Sequence, residues 1–432
     1  MRPQLTQEQA AAYSRSEVLR YVGTAGAERH DPWEPAHIRV GDLIPDYIVG
    51  HGGPFVTVQA ALNRAISDRR VGRVVIGISS GLYRGLVYVP RGAFQITLVG
   101  LGNSPSDVTL TEEIDAEMPG DEYARRFSTH FDGSPEDVLR IVRRITALAP
   151  ISTANASVLR VENDGFQLVN LTVRNGYNCD RDQAGSSEKT AEGQYRTGQH
   201  QAVALLVAGA DRVQVQDVVL QSFQDTLYLQ SPAKGETVRS CFSGCDIEGD
   251  VDFIFGQSTA WFADCTIRSL GRRTAATWAT APSTDIRTPY GFVFDNCDFT
   301  SDGAGDARHF LGRQWFEGVR ATPFGTPDIA GYSVEMGPVS TFDPPRGRIS
   351  AATLNSVGKC VILRSRIGAH IDPVSPWDEW SGNVWNPRHR PVLYTAADMF
   401  EPLADWLRAQ GLSYDDIGPK MPFLAEYENV NV

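Results

Sequence analysis

One spacing recurs through the middle of this chain and narrows its possible folds. An apolar residue is followed by a small or apolar residue three positions on, then by another apolar residue two further. Leu168–Leu171–Val173 carries it, as do Val215–Val218–Leu220, Phe242–Cys245–Ile247, Phe262–Cys265–Ile267 and Phe294–Cys297–Phe299. Ile362–Ser365–Ile367 is a weaker sixth copy. The last positions of successive copies lie 47, 27, 20 and 32 residues apart as far as Phe299, and the interval of 47 could hold two turns of chain. Irregular intervals of this kind suit a solenoid, whose coils are alike while their loops vary in length. A sandwich would join neighbouring strands by tight hairpins, and no Asn-Gly or Asp-Gly turn joins consecutive copies. The expected fold is therefore all-β: a parallel β-helix with a few peripheral helices.

The helical candidates are few. Residues 7–21 and 57–67 have helical patterning, and residues 396–411 are rich in Ala, Leu and Trp. Ser134-Pro135-Glu136-Asp137 resembles a capping box with Pro at the first helical position, and VLRIVRRITAL follows it. Composition excludes several classes. With Lys and Arg together at 40 and Asp and Glu at 52, the net charge is −12, which repels nucleic acid and anionic membranes. No apolar run is long enough to span a bilayer. The first residues lack the apolar core of a secretory leader. Six cysteines in 432 residues do not make a disulfide scaffold, and neither CxxC nor HExxH is present.

The repeat also sets side chains beside one another. Asp225 follows Leu220 by five residues, and Asp252 follows Ile247 by five, so both occupy one phase of neighbouring coils. Strands in a sheet lie ~4.8 Å apart, which makes the two carboxylates close neighbours. Two such carboxylates cannot ionise independently; one pKa rises while the other stays low. That is what an acid and a nucleophile sharing one site require. The segments around them, FQDTLY and VDFIFG, are apolar, and an acidic residue there is costly unless paired or used. Gln201 and Gln224, 23 residues apart, are expected to form an amide pair on the same surface.

Four blocks in order complete the pattern: QAVAL at 201–205, QDTLY at 224–228, IEGDVDFIFG at 247–256 and LGRQW at 311–315. Together with FVTVQAAL at 55–62 and GLYRGLVYVP at 81–90, they resemble the pectin methylesterase (pectinesterase) family in its bacterial form, from about Tyr47 to about Asp398. The resemblance implies a right-handed parallel β-helix that removes methyl groups from methyl-esterified polygalacturonate, releasing methanol. It matches Asp252 to the nucleophile and Asp225 to the general acid and base. Gln201 and Gln224 match the amides that stabilise the oxyanion, and Arg313 the guanidinium that holds the nucleophile. Trp315 and Phe255 match sugar-binding aromatics. No metal or organic cofactor is implied. The expected partner is pectin, met by a monomer without nucleic acid or a membrane span, and the implied location is secreted or periplasmic. The implied organisation is an N-terminal extension (1–46), a catalytic β-helix (47–398) with an insertion at about 111–150, and a C-terminal helix and tail (399–432).

The sequence also departs from the family. Gln314 stands where Pro is usual, and Asp250 where Thr is common. On a strand, Asp250 would share a side with Asp252 and its charge would oppose ionisation of the nucleophile. The insertion and the long polar segment 176–199 could shape the cleft. Relatives similar to this chain carry a disulfide at the spacing of Cys245 and Cys265; a stack of buried free thiols is the alternative, because Cys297 occupies the same phase. Asn155-Ala-Ser157 and Asn170-Leu-Thr172 fit glycosylation sequons. Three rival readings have a basis in residues. Gly77-Ile78-Ser79-Ser80-Gly81, with His51-Gly52-Gly53, fits a serine-esterase elbow. Glu248, Asp250 and Asp252 could bind the calcium of a pectate lyase. A carbohydrate-binding solenoid without turnover would lack a reason to keep both Asp225 and Asp252.

Overall fold

Each copy of the repeat is one rung of a parallel β-helix. The computed structural model describes residues 4–92, 94–177, 201–233, 235–313, 315, 339–342, 347–350, 356–378 and 424–432. The six copies stack in the register their spacing predicts. Leu168 pairs with Val215 and Val173 with Leu220; Val215 pairs with Phe242 and Leu220 with Ile247. Phe242 then pairs with Phe262, Ile247 with Ile267, Phe262 with Phe294, Ile267 with Phe299, Phe294 with Ile362 and Phe299 with Ile367. Leu168 and Val215 lie on adjacent strands, so the interval of 47 residues is one coil, not two turns. Rungs at Arg73–Ile78 and Gln95–Gly100 extend the stack upstream.

The spacing of three then two has a local cause. A continuous strand alternates its side chains, so every second residue faces inward. Two residues into each copy the backbone enters the left-handed region, and the alternation restarts one residue late. The positions are Asn170 (φ 52°), Asp217 (52°), Gly244 (60°), Asp264 (54°), Asn296 (55°) and Arg364 (45°). Asn, Asp and Gly are the residues that tolerate this conformation best. Asn170 adds two hydrogen bonds, donating its amide to Gly100 O and Gly102 O at 2.9 Å each.

The restart turns all three repeat residues into the core, where like stacks on like. Phe262 lies 4.8 Å from Phe242 and 4.3 Å from Phe294, centroid to centroid, with the rings nearly parallel. Cys245, Cys265 and Cys297 form a second buried column. All three are free thiols in this structure. Burial, together with its two thiol neighbours, pushes Cys265 well above the usual thiol range.

The periphery differs more from expectation. Residues 7–21 form two short helices, Gln7–Ala11 and Arg15–Val18, and then a strand at Tyr21–Thr24. Helix Val58–Ser67 starts on the Thr57 side chain as its cap. Helix Glu136–Thr146 has Pro135 as its N-cap, which offers no side-chain acceptor, and the Ser134 hydroxyl accepts from the Asn63 amide. The N-terminal segment lies along the flank of the β-helix. There the fully buried Arg239 binds Asp211 and Asp31 and donates to the Leu19 carbonyl. The β-helix does not stop at 398: Leu424–Tyr427 and Val430–Asn431 pair with Cys360–Leu363 and Arg366–Ile367 as a further rung. The helix expected at 396–411 lies outside the described residues. Both sequon asparagines are buried and hydrogen-bonded, which leaves no room for a glycan.

Two outcomes follow. Phe262→Ala should cost about 3–5 kcal/mol of stability, read from urea unfolding, because it opens a gap in the aromatic column. Alkylation of unfolded, unreduced protein should label Cys245 and Cys265; protection of that pair until reductant is added would show a disulfide instead.

Candidate active site

A second parallel sheet of the coil carries the site. Its strands include Ser157–Val161, Val203–Ala208, Leu227–Gln230, Ile254–Gly256, Ala276–Pro282 and Arg308–Arg313. Gln201 and Gln224 form a parallel bridge just before two of these strands. Leu227 pairs with Ile254, which places Asp225 and Asp252 at equivalent positions of adjacent coils. Neither aspartate is in a strand. Both occupy turns with positive φ, 68° at Asp225 and 49° at Asp252, where an Asp is tolerated and a β-branched residue is not. The turns are tied together: Asp225 N–H donates to Val251 O at 3.1 Å, and Leu227 N–H to Phe253 O at 2.8 Å.

Arg313 reaches this pair from two coils further on. Its Nε and one terminal nitrogen donate to the two oxygens of Asp252, both at 2.8 Å. This two-pronged geometry is the strong form of an arginine–carboxylate pair. The guanidinium also lies 3.8 Å from the centroid of Trp278, whose indole N–H donates to Asp378 at 2.8 Å. Asp225 is buried beside them, and among the described residues no cation is paired with it. Burial, and next the charge of Asp252, push its carboxyl well above the usual carboxylate range, against a smaller opposing effect of Arg313.

Asp250 departs from its expected role. It is fully buried, in a turn and not on a strand, and its carboxylate binds Arg273 at 2.7 Å. The three carboxylates of the calcium reading do not converge either. Glu248 accepts from Gln221, Asp250 binds Arg273 and Asp252 binds Arg313. The serine-elbow reading fails on backbone: Ser79 lies between strands Arg73–Ile78 and Gly81–Arg84, not before a helix, and its hydroxyl donates to His51 O.

A cleft of about 510 Å³ opens over the pair. Gln201, Gln224, Asp225, Asp252, Phe255, Arg313 and Trp315, all singled out from sequence, line it. Tyr228, Gln230 and Ser152–Ala154 line it as well and were not foreseen. Tyr228 stacks on Phe255 at 4.2 Å, and Trp315 meets Phe255 edge-on at 5.4 Å, forming a three-ring wall. Tyr228 was legible, being the last residue of QDTLY and in register with Phe255. Trp278 and Ser152–Ala154 carried no signal, since neither belongs to a repeat copy. The insertion does reach the cleft: Ala116 N–H donates to Gln201 O at 3.0 Å, and Ser152 N–H to Ala116 O at 2.9 Å. The amide oxygen of Gln201 is buried without a partner among the described residues, so that side of the carboxamide is not anchored to protein. Gln314 and most of the segment 176–199 lie outside the described residues.

Comparison with known proteins agrees with this geometry. The family model described as Pectinesterase matches residues 124–322. A pectinesterase of Ralstonia solanacearum is 31% identical over 385 residues, covering 87% of this chain and 84% of the relative. The solved rice weevil pectin methyl esterase superposes with a TM-score of 0.72 at 24% identity, over 100% of this chain and 97% of that one. A pectin methylesterase in complex with a hexasaccharide superposes with a TM-score of 0.56 at 26% identity, covering 80% and 84% of the two chains.

The buried carboxyl of Asp225 has a consequence for stability. The folded protein keeps a proton there that the unfolded chain loses above about pH 3.9. Wild type therefore loses stability as pH rises from that value towards the raised pKa, by up to about 1.4 kcal/mol per pH unit. Asp225→Asn has no proton to lose. Its stability advantage over wild type, measured by urea unfolding, should grow between pH 4 and pH 7.

Proposed function

Since this chain belongs to the pectinesterase family, we propose that it hydrolyses the methyl esters of pectin, with Asp252 as nucleophile and Asp225 as general acid and then base. The carboxylate oxygen of Asp252 attacks the C6 carbonyl carbon of a methyl-esterified galacturonate. The carbonyl electron pair moves onto its oxygen, where the amides of Gln201 and Gln224 stabilise the charge without adding one of their own. The tetrahedral species collapses, the bond from C6 to the methoxy oxygen breaks, and Asp225 gives that oxygen its proton. Methanol leaves and an anhydride joins the sugar to Asp252. Water then attacks the anhydride, Asp225 takes the water proton, and Asp252 is released as a carboxylate. Two moderate barriers replace one high one.

The observation that carries this reading is the unequal treatment of two neighbouring carboxyls. A guanidinium clasps Asp252 in the form a nucleophile needs, while Asp225 is buried so that it favours the form an acid needs. The ring wall of Tyr228, Phe255 and Trp315 suits the apolar faces of sugar rings. No step calls for a metal. A monomer acting in a secreted or periplasmic setting fits a polymeric substrate of this kind.

Methanol release from highly esterified pectin tests the reading directly. Wild type should release methanol with or without EDTA and form no product with the ultraviolet absorbance of an unsaturated uronide. Asp252→Asn and Asp225→Asn should each lower kcat at least about a thousand-fold with circular dichroism unchanged. Gln224→Ala should lower it on the order of a hundred-fold. Near-normal kcat in either Asp variant would overturn the assignment, and chelator-sensitive uronide formation would favour a lyase.

A further inference from the structure

Beneath the cleft lies a second buried ion pair that the reaction above does not use. Asp250 and Arg273 have side chains only 1% and 3% exposed. The Nε and a terminal nitrogen of Arg273 lie 2.8 and 2.7 Å from the same oxygen of Asp250. The other oxygen accepts from Val251 N–H at 2.7 Å. The Asp250 backbone links three coils: its N–H donates to Phe223 O, and its carbonyl accepts from Trp278 N–H, each at 2.9 Å. Arg273 closes the bracket by lying 3.9 Å from the centroid of Phe223. Phe223 immediately precedes Gln224 and Asp225, Val251 immediately precedes Asp252, and Trp278 lies against Arg313. The pair thus touches the backbone or neighbours of Gln224, Asp225, Asp252 and Arg313.

Charge balance adds to the geometry. Asp225, Asp250 and Asp252 are three buried carboxyls, and two guanidiniums face them. Arg313 takes Asp252 and Arg273 takes Asp250, so among the described residues the third carboxyl has no paired cation. Buried charge is tolerated only when it is matched, and the unmatched carboxyl is the one that must hold a proton.

We propose that Asp250 and Arg273 are a positioning pair, acting through the turns of Asp225 and Asp252, that fixes their register and balances the buried charge so that the proton resides on Asp225. The proposal rests on the reading of Asp225 as general acid. The groups facing Asp225 are Asp252, Arg313 and Asp250; Arg273 stands behind Asp250, and Asp378 behind Trp278. Removing the negative charge of Asp250 while Arg273 stays leaves an extra cation nearby and makes Asp225 a stronger acid. Removing Arg273 alone leaves an extra anion and makes it a weaker one.

The experiment is the pH profile of kcat for methanol release by Asp250→Asn, Arg273→Met and the double variant, with thermal unfolding recorded alongside. The high-pH limb should move down by about one pH unit in Asp250→Asn and up by about as much in Arg273→Met. The double variant should return close to wild type, since the two changes cancel. Should Arg273→Met fail to fold, the downward shift in Asp250→Asn and the return in the double variant still decide. Limbs that stay in place in Asp250→Asn, with only kcat or melting temperature lowered, would overturn the proposal and leave the pair a structural brace. If those limbs stay fixed while Asp225→Asn abolishes turnover, this proposal alone fails; if Asp225→Asn remains active, the reading it rests on fails first.

Discussion

The in-register stacking of rungs is the constraint from which the rest of this molecule follows. Parallel strands ~4.8 Å apart force equivalent residues of successive coils into contact, so the same position must be filled in each coil by side chains that accept their own kind. Flat aromatic rings do this well, and Phe242, Phe262 and Phe294 form a nearly parallel column. Small buried side chains do it too, as Cys245, Cys265 and Cys297 illustrate. Like carboxylates do it badly, and the placement of Asp225 over Asp252 is a local violation of the rule. Such violations persist where the rest of the fold enforces them and function uses them.

What makes the violation tolerable is the supply of cations from later in the chain. Arg313 arrives from two coils beyond Asp252, and Arg273 from the coil after Asp250. Both guanidiniums also lie over aromatic rings, Trp278 for Arg313 and Phe223 for Arg273. Such stacking suits a weakly hydrated planar cation in a site with little water. The arrangement leaves Asp225 as the group whose neutral form is favoured, by burial first and by Asp252 second. Differing roles for two identical side chains thus arise from their surroundings alone.

The segments outside the coils complete the molecule in two places. The N-terminal segment is held on the flank by Arg239, whose charge is matched by Asp31 and Asp211. The insertion packs through the hydroxyl contact of Tyr123 with Tyr88 and returns through Ser152–Ala154 to form one rim of the cleft. It also holds the backbone of Gln201. The cleft is therefore walled on one side by the β-helix and on the other by chain that the repeat does not contain.

The sequence by itself determined the rungs, their register and the neighbouring placement of Asp225 and Asp252. These depend on spacing, and a stacked coil converts spacing into position almost without loss. Even the reset by Asn170, Asp217, Gly244, Asp264 and Asn296 was present as an Asn, Asp or Gly in five of the six copies, with Arg364 in the sixth, although its meaning emerged only with the backbone angles. Spacing said nothing about side chains that approach from unrelated coils. The pairing of Asp250 with Arg273, the ring of Trp278 under Arg313 and the rim at Ser152–Ala154 were decided by tertiary structure, as was the last rung at 424–431. The interval of 47 residues was ambiguous for the same reason: loop length does not count coils. A local pattern encodes what repeats, whereas matched buried charge depends on which distant residues the closed fold brings together.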